Sequence, residues 1–331
     1  MTAQRRHVVY LAWSVNRGRV VELGDLLDAH PRLFYPRLLA GRRLKVVRYL
    51  VSVLWTGLVV LRERPTVVVV INPPVLAAAS VVAFARLSGA VVVLDSHPGG
   101  FGAQGDRLSA ALQPLHRWAV RRARATLVTG EHWAGVVTQW GGRPLVVHEP
   151  PAPWTAPGHT GALSGPVGRA QVLFLGTYGR DEPVGELVEA ARLLPEVELR
   201  VTGDPGAAPP GLLDELPSNV RLLGYLGPAE YQAEVLRADL AVVLTTEPTS
   251  VMRAGYEAVY ARRPLLVSDW PGLRVVFPHA IHVPNTAQGI ADGVRRAVHD
   301  LERLRGLAAP AREEQEQRWR AQLAELRSVV G

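Results

Sequence analysis

Residues 67–95 read VVVVINPPVLAAASVVAFARLSGAVVVLD, and the choice between a membrane span and a buried α/β unit turns on them. No charged residue stands between Arg64 and Arg86, so the run is long enough to cross a bilayer. Asn72, Pro73 and Pro74 interrupt its centre, where a lipid-facing helix would lose backbone hydrogen bonds. The stretch therefore predicts a buried strand over 67–71, a turn, a buried helix over about 75–87 and a second buried strand over 91–95. Continuous valine-rich strands separated by helices belong to a parallel sheet covered on both faces.

The alternation continues in both directions. Upstream stand the β-rich run HVVYLAW (7–13), a helical pattern through Val21, Leu23, Leu26 and Leu27, the strand-like LFY (33–35) and a helix over about 43–62. Downstream come a helix over about 108–122 and the strands TLVT (126–129) and LVVH (145–148). Between Glu149 and Gly168 the chain is dense in Pro and Gly, as a linker would be. A second alternation follows, with strands at 172–176, 198–203, 220–224, 240–246 and 264–269 and helices over about 184–194, 229–237, 251–261 and 286–305. The expected fold class is α/β, two Rossmann-like doubly wound parallel-sheet domains facing each other across a cleft. The expected boundaries are 1–150 for the first domain, 151–168 for the linker, 169–305 for the second domain and 306–331 for a terminal helix. That helix carries Trp319, Leu323 and Leu326 on one stripe and either closes the second domain or crosses back to the first.

The chain has 331 residues and no cysteine, which excludes a disulfide scaffold, thiolate zinc sites and cysteine nucleophiles. The apolar stretch near the N-terminus is too short for a secretory leader, and Tyr49–Leu61 is too short to span a bilayer, so a cytoplasmic protein is expected. Charge is uneven: residues 1–150 hold 19 Lys+Arg against 8 Asp+Glu, whereas residues 151–331 hold 18 against 22. A cationic first half suits an anionic partner such as nucleic acid, lipid headgroups or a phosphorylated substrate. No RNA-binding signature or aromatic-rich face supports nucleic acid, and the missing export signal argues against a periplasmic solute binder.

GxGxxG, the P-loop, G-x-S-x-G, H-E-x-x-H and D-x-D are all absent. The most informative stretch that remains is TTEPTSVMRAGYEAVYARRPLLVSDWPGLRVVF (245–277). It predicts a buried strand ending at Thr245 and Thr246, a turn, and a helix opening near Ser250. A helix N-terminus offers free amides and partial positive charge to an anion such as a diphosphate. Thr249 and Ser250 are placed to cap that helix or donate to phosphate, Arg253 to add positive charge, and Glu257 to accept from a diol such as ribose.

This stretch resembles the donor-binding segment of GT-B glycosyltransferases, in particular the family 4 nucleotide-sugar group with its E-x7-E pattern followed by an A-x-x-x-x-x-P-[VL] strand entry. Glu257, Ala258, Pro264, Leu265, Ser268 and Asp269 match its second half. Thr249 stands where the first acid is expected and Glu247 lies two residues earlier, so either Glu247 reaches in or Thr249 and nearby amides, around Val251, do its work. FLGTYGRDEPVGELVEAARLL (174–194) is similar to the family's phosphate-binding loop, implying roles for Gly176, Thr177 and Arg180. VTGDPG (201–206) and the segment 219–240 resemble the next two strands, placing Gly203 near the donor and Gly224, Tyr225 and Leu226 at the base. INPP (71–74) and VVLDSHPGGFG (92–102) look like the N-Pro-Pro and Asp-x-His segments of mannosyltransferase-like members.

The resemblance implies a hexosyltransferase of glycan biosynthesis that uses a nucleoside-diphosphate sugar as co-substrate, with no metal or other cofactor and with retention of configuration. The second domain would hold the donor. The first would hold a glycan, lipid-linked or small-molecule acceptor, with Asn16, Arg17, Arg19 and His97 as acceptor residues and His97 and Glu257 as catalytic ones. The helix beginning RRLKVVRYLVSVLW (42–55) pairs basic residues with a broad apolar surface and either packs in the core or rests on an anionic membrane as a peripheral contact. A sugar-nucleotide epimerase and a non-catalytic nucleotide-sugar binder are the alternatives.

Overall fold

The computed structural model describes residues 7–15, 18–39, 41–102, 107–155 and 169–331. Asn16, Arg17 and positions 156–168 of the expected linker lie outside the described residues. The chain divides into two units, Met1–Pro150 with Trp319–Gly331, and Pro151–Arg318.

Unit 1 is a six-stranded parallel sheet in the order β2-β1-β3-β4-β5-β6, formed by Val8–Ala12 (β1), Ala29–Leu33 (β2), Val67–Asn72 (β3), Val91–Ser96 (β4), Ala125–Val128 (β5) and Pro144–Val146 (β6). Its helices are Gly18–Leu26 (α1), Lys45–Glu63 (α2), Val75–Ser88 (α3), Arg107–Ala111 (α4), Gln113–Val120 (α5) and Glu131–Gln139 (α6). Alternate residues of one strand serve opposite faces. Val9, Leu11, Val68 and Val70 pack with Val60 of α2 and Ala78 and Val81 of α3. Tyr10, Val69, Val93 and Leu127 pack on the other face with Val20 and Leu23 of α1 and with Trp319, Leu323 and Leu326. The terminal stripe thus closes the core of unit 1.

Unit 2 repeats the plan with strands Ala170–Phe174 (β7), Val197–Thr202 (β8), Val220–Gly224 (β9), Leu240–Val243 (β10), Leu265–Ser268 (β11) and Ile281–Val283 (β12), all parallel in the order β12-β11-β10-β7-β8-β9. Its helices are Val184–Arg192 (α7), Pro228–Arg237 (α8), Arg253–Tyr260 (α9), Pro271–Val276 (α10) and Ala287–His299 (α11), and Leu301–Val330 (α12) begins within it. Both sheets are the doubly wound α/β arrangement expected from sequence.

Several boundaries differ from the sequence reading. The helix expected over 108–122 is two, α4 and α5. The segment 286–305 breaks at Asp300 between α11 and α12, with φ −97° and ψ 19° at that residue. Helices α6 and α10 and the short edge strand β12 were not foreseen. Among the described residues no helix is long and apolar enough to cross a membrane.

Candidate functional site

In a doubly wound sheet, ligands bind beyond the carboxyl ends of the strands where the winding reverses. In unit 2 the reversal lies between neighbours β7 and β10, so the loops leaving them, 175–183 and 244–252, define the position. They are tied together: the Thr246 amide donates to the Asp181 carbonyl at 2.6 Å and the Thr246 hydroxyl to the same oxygen at 3.2 Å. Beneath them, Ser268 Oγ accepts from the Thr245 amide at 2.9 Å, while Trp270 and Asn285 both donate to the Thr245 carbonyl at 2.8 Å. Ser268 is therefore a brace for the loop, and Asp269 is paired with Arg274 rather than aimed at a ligand.

The 175–183 loop is folded around an acidic group. Glu182 accepts from the amides of Thr177 at 2.9 Å and Gly179 at 3.2 Å and from the Thr177 hydroxyl at 3.0 Å. Gly203 makes this possible: its φ is +108°, and a Cβ there would lie 2.8 Å from the Gly176 carbonyl. Gly176 itself faces Phe174, and a Cβ on it would overlap that ring. Arg180 is exposed, has no ion-pair partner among the described residues, and lines a depression of about 890 Å³ with Tyr178, Glu182, Pro209 and Pro210. Gly224 has φ +72°, a turn conformation that precedes the highly exposed Tyr225 and the partly buried Leu226.

The loop after β10 departs from expectation. Helix α9 opens at Arg253 instead of Ser250, and its N-cap, Met252, provides no side-chain cap. Thr249 and Ser250 consequently sit in the turn, with the Ser250 amide bonded to the Glu247 carbonyl at 3.2 Å. The Glu247 carboxylate has no hydrogen-bond partner among the described residues. Glu257 is largely buried, with both oxygens engaged: Tyr231 of α8 donates at 2.6 Å and Arg253 at 2.9 Å. Burial and then the Glu257 charge raise the Tyr231 phenol pKa, so it stays a proton donor to that carboxylate. Val251 is partly buried in the same turn.

In unit 1 the winding reverses between β1 and β3. Asp95, near the end of β4, is buried and accepts from the Tyr10 hydroxyl at 2.5 Å and from Arg19 Nε at 2.9 Å. Arg19 Nη1 reaches Glu149 at 2.7 Å. Burial alone would raise the Asp95 pKa, but Arg19 and then His97 outweigh it and hold the carboxyl well below its ordinary range. Arg19, expected to grip an acceptor, is thus buried and consumed by two carboxylates. His97 remains partly exposed beside this cluster, its Nε2 3.6 Å from Asp95. Behind it, His116 is fully buried, 2.7 Å from Asn72 Nδ2 and 3.2 Å from Ser96 Oγ, and its ring packs on Phe101.

A second depression, about 630 Å³, opens at the β1/β3 reversal and is walled by Trp13, Phe34, Tyr35, Arg48, Tyr49 and Pro73. The Arg48 guanidinium lies 5.1 Å over the Tyr35 ring and donates to its hydroxyl at 3.0 Å. Sequence reading assigned no site role to Trp13, Phe34 or Tyr35 of this wall, nor to Tyr10, Glu149, Glu182 and Tyr231. Its one available signal was aromatic residues directly after strands, as at Trp13 and Phe34.

The paired doubly wound sheets are the architecture of GT-B glycosyltransferases. The chain is similar in structure to sucrose-phosphate synthase from Thermosynechococcus elongatus (TM-score 0.75, 15% identity, covering 97% of each chain). It is also similar to Anabaena HepE in complex with UDP (TM-score 0.70, 13% identity, 98% and 99% covered). A putative UDP-N-acetylglucosamine 2-epimerase from Listeria monocytogenes aligns at TM-score 0.57 and 10% identity, covering 94% and 91%. No protein-family model and no curated protein matches the sequence. At these identities the likeness shows the fold.

Proposed function

We propose that the chain is a hexosyltransferase-class glycosyltransferase that moves a sugar from a nucleoside-diphosphate sugar to a glycan, lipid-linked or small-molecule acceptor. Unit 2 binds the donor and unit 1 the acceptor. The observation that carries this reading is the loop after β7, where two backbone amides converge on an acidic group next to Arg180, an arginine with no ion-pair partner among the described residues. Complexes of HepE with UDP and with UDP-glucose support a nucleotide-sugar ligand for this fold.

Sugar transfer leaves a nucleoside diphosphate whose charge must be stabilised as the anomeric carbon becomes cationic. On this reading Thr177, Gly179 and Arg180 meet that charge in place of a metal ion. Gly203 holds the loop in shape, and Gly224, Tyr225 and Leu226 border the base. Glu257, oriented by Tyr231 and Arg253, accepts from the ribose, while Glu247 or Thr249 with Ser250 and the Val251 backbone contacts the transferred sugar, whose configuration is retained. His97 hydrogen-bonds the sugar or acceptor. Asn16 and Arg17 are proposed acceptor contacts, and the aromatic wall at Trp13 and Tyr35 receives the acceptor's ring face. Arg19 acts by holding Asp95 charged beside His97. The enzyme works on the cytoplasmic side.

The test is a panel of nucleoside-diphosphate sugars with acceptors, in the presence of EDTA, reading nucleoside diphosphate release. Turnover on at least one donor, lost in Glu257→Ala and with donor affinity about tenfold weaker in Arg180→Ala, is expected. Should no donor bind or turn over, the reading fails. The Listeria neighbour favours a second reading, an epimerase, which would convert the donor sugar without an acceptor and without net transfer.

A further inference from the structure

Unit 1 carries an apolar surface that neither the core nor the proposed chemistry uses. Among the described residues, most exposed large hydrophobic side chains lie between Leu38 and Leu61. Along α2, Val46, Leu50, Leu54, Leu58 and Leu61 are spaced by four, four, four and three residues, which sets them on one helical stripe. They are open to solvent, Leu54 to 72% and Leu50 and Leu58 each to 60%. The helix already buries a different face through Ser52, Thr56, Val59 and Val60. At 1.5 Å per residue the stripe extends about 22 Å along the axis, and an apolar patch of this extent marks an interaction surface.

Its charge frame selects the partner. Residues 37–64 contain Arg37, Arg42, Arg43, Lys45, Arg48, Arg62 and Arg64 against the single acid Glu63, and Glu63 is neutralised by Arg32 at 2.9 Å. Arg43 and Lys45 are exposed at the start of the stripe, Arg62 and Arg64 at its end. Two copies of the chain meeting through this face would set cations against cations whichever way the helices ran. An anionic lipid surface meets both features at once, taking leucines among its upper acyl chains and arginines among its headgroups.

We propose that α2 docks the protein on anionic phospholipid bilayers, lying in the plane of the interface. The inference stands apart from the glycosyltransferase reading, because its test reads lipid binding and not turnover.

The full chain is sedimented with vesicles of phosphatidylcholine alone and of phosphatidylcholine mixed with phosphatidylglycerol, at low and high salt. Binding to the mixed vesicles is expected, weak on phosphatidylcholine and falling as salt rises. Replacing Leu50, Leu54 and Leu58 together by Ser lowers the partition coefficient by about tenfold or more, with an unchanged melting temperature. Leu54→Asp alone reads the same face should the triple variant fold poorly. Replacing Arg43, Lys45, Arg62 and Arg64 by Gln abolishes the preference for phosphatidylglycerol. The proposal is overturned by absence of binding to mixed vesicles at low salt, or by leucine variants that bind like the parent. A concentration-dependent dimer dissolved by the Ser substitutions, without vesicle binding, would assign the face to a second copy instead.

Discussion

The Glu182 carboxylate and the Thr177 amide are 2.9 Å apart, so a side chain of the protein fills the place that the loop geometry offers to an anion. A diphosphate entering there competes with a charge already present. Glu182→Ala is expected to tighten nucleoside diphosphate binding by about tenfold, since it removes both the competitor and a like charge. Isothermal titration calorimetry measures it. Weaker binding would mean that Glu182 orders the loop and that phosphate binds elsewhere.

Asp95 and Arg19 form a buried ion pair, and breaking one side strands the other. Asp95→Asn should cost about 3–5 kcal/mol of unfolding free energy by urea titration. A loss below about 1 kcal/mol would show the cluster to be effectively solvated.

His116 gives a pH signature. Burial lowers its pKa to about 4 from 6.5. Between those values the unfolded chain binds the extra proton and the folded one does not, so stability contributed by the neutral ring is present above pH 6.5 and lost as pH falls towards 4. The loss is about 3 kcal/mol. Unfolding free energies at pH 7 and pH 4.5 should differ by more in the parent than in His116→Gln, and equal slopes would refute the assignment.

Gly203→Ala puts a methyl group against the Gly176 carbonyl at a φ of +108°. A destabilisation of about 2 kcal/mol or more is expected, together with weaker nucleotide binding, because the displaced segment is the loop itself. A thermal melt with and without nucleotide separates the two effects.

Leu326 is fully buried in the core of unit 1. Leu326→Ala should cost about 2–5 kcal/mol, a value open to denaturant titration. Little change would place the terminal stripe outside that core.

The fold was legible because runs such as Val67–Val70 and Leu240–Val243 are apolar at every position, which only a strand covered on both sides tolerates. The short elements were not: β12, Ile281–Val283, has only three residues to carry a pattern. At the candidate site the sequence pointed to the loops that follow β7 and β10 but not to their internal pairings. Glu182 and Thr177 are five residues apart, and no periodicity announces a turn that folds one onto the other. Arg19, Asp95 and Glu149 come from three distant segments, so their mutual neutralisation becomes visible only when the strands are assembled. The helix at 253 begins later than its sequence implied because Thr249 and Ser250 stay in the turn that Glu247 starts.

Helix α12 begins in unit 2 and ends in the core of unit 1, beside Tyr10 and Leu23. During synthesis the first strands therefore leave the ribosome about 300 residues before the side chains that cover them. The second lobe can complete itself earlier than the first, and the first must wait, partly open, until the last helical turns emerge.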